Sequence, residues 1–83
     1  MLDPKMIEQR IRESLGATDV RVRDTTGTGD HFEALVVSAA FEGKSMVEQH
    51  QLVYARLKDL LATGELHALA LDTYTPDEWK KRS

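Results

Sequence analysis

Hydrophobic and polar positions change their period along the chain, and each change marks an element. Ile7, Ile11 and Leu15 recur at steps of four behind Asp3-Pro4. Asp can cap a helix and proline suits the first helical position, so this reads as a helix with a narrow apolar stripe, closed at Gly16. Glu8 and Arg12, four apart, are a candidate solvent-side pair. From Asp19 to Asp24 the period falls to two. Val20 and Val22 point one way, Arg21 and Arg23 the other, as in a half-buried strand. Thr25-Thr26-Gly27-Thr28-Gly29-Asp30 has the composition of a hairpin loop, and a second strand runs from about His31 to Ser38.

A link, Phe41-Glu42-Gly43-Lys44, leads to one long amphipathic helix. Ser45 opens it with Glu48 three residues on, the S-x-x-E capping box. Val47, His50, Tyr54, Leu57 and Leu61 share a face by spacing, and Gly64 ends the helix. His67 to Tyr74 is a short apolar strand bounded by Gly64 and Pro76. Strand, helix, strand at this length predicts a crossover between parallel strands. Thr75-Pro76-Asp77-Glu78 is a second capping box that starts a last short helix, with Trp79 as its core anchor and Lys80-Lys81-Arg82 at its end. The predicted order is α-β-β-α-β-α. It describes one α/β (α+β) domain over residues 1–83, with a three-stranded mixed sheet and helices on one face.

Composition narrows the function. No stretch of the 83 residues approaches the ~20 apolar residues of a membrane span, and the N-terminus lacks a signal-peptide pattern. The expectation is a cytoplasmic protein with no membrane partner. A net charge of −3 weighs against generic nucleic-acid binding. Cysteine is absent, which excludes disulfides, a thiol nucleophile and a self-sufficient thiolate metal site.

Catalysis has few candidates. No serine sits in a nucleophile elbow, and Asp30 and His31 are adjacent, so on a strand they face opposite sides. The glycine-containing loop lacks the Lys-Ser/Thr of a P-loop and leads into a strand. The expectation is not an enzyme. Arg21 and Arg23 can touch phosphate or simply form a solvated face. The three histidines separate by environment. His50 lies on the helix stripe and reads as a satisfied core residue. His31 opens the second strand and His67 the third. With the first two strands antiparallel and the third parallel to the second, both histidines start strands at the same edge. Two neutral imidazoles there suit a borderline-to-soft transition metal, with the remaining ligands from a partner or solvent. Each ring taken alone also reads as ordinary and solvent-exposed.

Phe41-Glu42-Gly43-Lys44-Ser45, His50-Gln51-Leu52-Val53-Tyr54, His67-Ala68-Leu69 and Thr73-Tyr74-Thr75-Pro76-Asp77-Glu78-Trp79 together resemble the BolA family across essentially the whole chain. One departure is Gln49, where many members carry arginine; the expectation is that only a surface contact changes. The resemblance implies a class II KH-like fold and partnership with a monothiol, CGFS-type glutaredoxin. A [2Fe–2S] cluster would bridge the pair, held on one side by the glutaredoxin cysteine and a glutathione thiolate. The family's C-terminal ligand histidine corresponds to His67, and His31 is the candidate for the second ligand. Histidine on the outer iron implies a Rieske-like environment with a potential above that of all-thiolate ligation. The isolated chain would hold no cofactor.

The implied function is a non-enzymatic adaptor in iron–sulfur cluster trafficking or iron-linked regulation. The rival is a KH-like nucleic-acid-binding transcriptional regulator. Against it, Gly43-Lys44-Ser45-Met46 lacks the second glycine of a G-x-x-G loop, and the net charge has the wrong sign. A module with some other protein partner, or a homodimer, is left open.

Overall fold

A computed structural model describes residues 2–27 and 31–82. Its elements are α1 (Pro4–Leu15), β1 (Asp19–Asp24), β2 (His31–Val37), a short 3-10 turn (Ala39–Phe41), α2 (Met46–Arg56), α3 (Lys58–Thr63), β3 (Ala68–Tyr74) and α4 (Pro76–Arg82). The sheet order is β1-β2-β3. β1 and β2 are antiparallel and β2 and β3 parallel, the mixed sheet predicted from the pattern.

The caps form as their chemistry dictates. The Asp3 carboxylate accepts the Lys5 N–H at 2.9 Å, with Pro4 in the first turn, and Gly16 closes α1 in the left-handed region at φ 59°. The Ser45 hydroxyl accepts the Glu48 N–H at 3.2 Å while the Glu48 carboxylate accepts the Ser45 N–H at 2.9 Å. Those bonds to Ser45, backbone first and hydroxyl second, hold the Glu48 pKa below its ordinary value. Thr75 and Glu78 repeat the box ahead of α4.

Alternation sorts the strands into two faces. Val20, Val22, Phe32, Ala34, Val36 and Leu69 turn toward the helices and form the core with Ile7, Ile11, Phe41, Val53, Leu57 and Leu66. The opposite face carries Arg21, Arg23, Glu33, Leu35 and Asp72, matched across the strands by register. Ser38, completely buried at the end of β2, joins three elements. Its hydroxyl donates to the Leu15 carbonyl at 2.7 Å and accepts the Ala40 N–H at 3.1 Å, and its N–H donates to the Tyr74 carbonyl at 3.1 Å.

Several local expectations are corrected. The long helix is two, divided at Leu57, whose N–H donates to the Tyr54 carbonyl three residues back. No proline or glycine marks the break. The buried stripe of α2 is Gln49 and Val53, not Val47 and His50: Val47 is 65% exposed and His50 only half-buried. Gln49 makes no surface contact. It is 8% exposed, donates to the Phe41 and Lys44 carbonyls, and accepts from the Thr73 hydroxyl at 2.7 Å. A side chain with both a donor and an acceptor end can bridge a loop and a strand at once. Glu8 turns from Arg12 to the Val22 N–H at 3.1 Å, covering an otherwise open bond on edge strand β1. Trp79 is half-buried and anchors α4 through the Tyr74 ring at 5.4 Å rather than through the core, and α4 buries no residue.

Candidate metal centre

The two pairings that make the sheet also bring His31 and His67 together. Antiparallel pairing ends at Asp24 opposite Phe32, and Thr25 then meets His31. The Thr25 N–H and hydroxyl both donate to the His31 carbonyl, at 3.0 and 3.2 Å. Parallel pairing sets His31 opposite Ala68, so His67 arrives at the same end of the sheet immediately before β3. The approach to His67 is fixed by Leu66, which is buried and donates its N–H to the Leu60 carbonyl at 3.1 Å. Two residues beyond His67, the Leu69 carbonyl accepts the Tyr54 hydroxyl at 2.8 Å and ties the start of β3 to α2.

The result is a pair of imidazoles with ring centroids 5.1 Å apart and planes inclined by 42°. His31 is half-buried and His67 exposed, so the pair opens to solvent. The spacing has a chemical meaning. With metal–nitrogen bonds of about 2.1 Å and a ring radius of about 1.1 Å, two imidazoles on one tetrahedral ion have centroids about 5 Å apart. The observed centroid spacing equals that separation. The pair does not complete such a site. Among the described residues no group of three or more histidines, aspartates or glutamates is arranged to hold a metal. Thr28-Gly29-Asp30, the rest of the glycine-containing loop, lies outside the described residues.

The remaining candidates do not join the pair. His50 lies on α2 and is only half-buried, away from the core position expected of it. Arg21 and Arg23 sit on the open sheet face beside a cavity of about 270 Å³, but Glu33 and Asp72 line the same cavity. Arg23 is already ion-paired with Glu33. The arginines therefore do not make a basic groove. No helix among the described residues is long and apolar enough to cross a membrane. Tyr54 has a positioning role that the stripe pattern did not reveal. Its signal was a phenol on an apolar face, since a partly buried Tyr hydroxyl needs a partner.

Comparison with known proteins converges on one family. The family described as BolA-like protein matches residues 6–78. A BolA-like protein of Dictyostelium discoideum is 44% identical over 57 residues, which span 69% of this chain and only 50% of that relative. BolA-like protein 2 of Homo sapiens is 38% identical over 82 residues, spanning 96% of this chain and 93% of that one. Among solved structures, the BolA domain of SufE1 from Arabidopsis thaliana superposes with a TM-score of 0.84 at 34% identity, covering 94% of this chain and 99% of that one.

Proposed function

The chain belongs to the BolA-like family, and from that premise we propose that it is a non-enzymatic adaptor in iron–sulfur cluster trafficking or iron-linked regulation. It works as one half of a heterodimer with a monothiol, CGFS-type glutaredoxin, the two sharing a [2Fe–2S] cluster. The observation that carries this reading is the 5.1 Å approach of the His31 and His67 rings at an open end of the sheet. Two imidazole nitrogens supply only part of a metal's coordination sphere, and in this reading the rest comes from the partner. Lacking any cysteine of its own, the chain takes its sulfur from the glutaredoxin thiolate and glutathione.

The cluster, when bound, supplies one-electron redox chemistry and a transferable iron–sulfur unit. The chain's own residues present the nitrogens. His67 rides on a strand start fixed by Leu66 and Tyr54, and His31 on the closing pair of a hairpin. Exposure of His67 leaves the approach open to a partner. Co-expression with a CGFS glutaredoxin and glutathione tests the reading. A coloured heterodimer is expected, whose visible circular dichroism changes on His67→Ala; failure to form one, or an unchanged spectrum, overturns it.

A further inference from the structure

The loop that delivers His31 is closed by two neighbouring side chains, and we propose that Asp24 and Thr25 are positioning residues that hold His31 against His67. This rests on the reading of the pair as a metal centre. The backbone enters the loop at Asp24, whose carboxylate oxygen accepts the Thr26 N–H at 3.1 Å and the Gly27 N–H at 2.9 Å. That is an Asx turn, which fixes the direction in which the chain leaves β1. Thr25, the next residue, then bonds across to the start of β2. Its N–H and its hydroxyl converge on one acceptor, the His31 carbonyl.

The consequence is an imidazole whose own carbonyl takes two hydrogen bonds from Thr25, itself set by the Asp24 turn, while its ring stays partly open to solvent. Gly27, at φ 78°, lies just beyond Asp24 in the left-handed region, where glycine carries no steric cost. Without these bonds the start of β2 would rest on its pairing with β3, and His31 would sample positions away from His67. Preorganisation of a ligand is worth affinity because the ordering cost is met before binding. His67 needs no such device, since Leu66 is buried and hydrogen-bonded directly ahead of it.

The test uses the full chain alone, with Cu²⁺ as the probe and His50→Ala as background so that only the pair supplies side-chain imidazoles. Copper affinity is measured by calorimetry, and the coordinated imidazoles are counted by pulsed electron paramagnetic resonance. The parent should give two imidazole nitrogens. Thr25→Val removes the hydroxyl but keeps the N–H, and Asp24→Ala removes the turn. Each should weaken copper binding about threefold to tenfold, the range expected for one or two lost hydrogen bonds, and together they should leave one imidazole. Thr25→Ser should restore the parent affinity. If the parent itself shows fewer than two imidazoles, the pair reading fails. If the parent shows two and the double variant keeps both at unchanged affinity, the positioning role is wrong and the pair stands. Loss of affinity in Thr25→Ser equal to that in Thr25→Val would also overturn it.

Discussion

Thr73 donates its hydroxyl hydrogen to the side-chain carbonyl of Gln49 across 2.7 Å, joining β3 to the first turn of α2. The other end of the same amide holds the Phe41 and Lys44 carbonyls, so one buried side chain satisfies three groups from three segments. Replacing it by alanine takes this partner from the Lys44 carbonyl and the Thr73 hydroxyl, while the Phe41 carbonyl keeps the Lys44 N–H. Gln49→Ala should destabilise the fold by about 2 to 3 kcal/mol, read from the urea midpoint at constant slope. A loss below about 0.5 kcal/mol, the size of an ordinary surface change, would contradict the bridging role.

The end of the chain makes the opposite case. α4 buries no residue; Trp79 packs on Tyr74, and Arg82 lies 5.2 Å over the same ring. Trp79→Ala should therefore cost only about 1 kcal/mol, the scale of one aromatic pair. Amide exchange should rise in α4 and stay slow in β2. The loss of 3 kcal/mol or more that a core tryptophan would give is the result to look for against this view.

Acid should weaken the start of α2. The Glu48 carboxyl titrates below its ordinary value because the Ser45 N–H and hydroxyl favour its charged form. A depressed folded value means the stabilisation is complete above the unfolded value, near 4.5, and disappears as pH falls through the folded one. Thermal melts of the parent and Glu48→Gln should therefore differ at pH 7 and converge toward pH 3. Asp59 behaves likewise: partial desolvation raises its pKa, but the hydrogen bond and charge of Arg10 at 2.7 Å outweigh it, and the net shift is downward. Arg10→Gln should reduce the acid sensitivity that Asp59 contributes, with a melt series from pH 3 to 5 as the check.

Much of the frame was legible because it depends on local rules. The alternation of Val20 and Val22 with Arg21 and Arg23, the two capping boxes, and the glycine after Leu15 all act within a few residues. The meeting of His31 and His67 followed from one topological step, since parallel strands joined by a helix begin at the same end. What stayed hidden was tertiary. The spacing of Val47, His50 and Tyr54 defines a face but not which face turns inward, and the polar Gln49 holds the buried position because its amide finds three partners. The break at Leu57 has no glycine or proline to announce it. Asp24 read as the end of a strand and Thr25 as a generic loop residue until the structure set Thr25 across from His31.

Electron–nuclear measurement on the reduced [2Fe–2S] heterodimer with a CGFS glutaredoxin addresses the central claim most directly. Two strongly coupled imidazole nitrogens are expected, one lost in His67→Ala and the other in His31→Ala, with both variants still folded by far-ultraviolet circular dichroism. A heterodimer whose cluster shows no imidazole coupling, or the same coupling in both variants as in the parent, would contradict shared ligation by this pair.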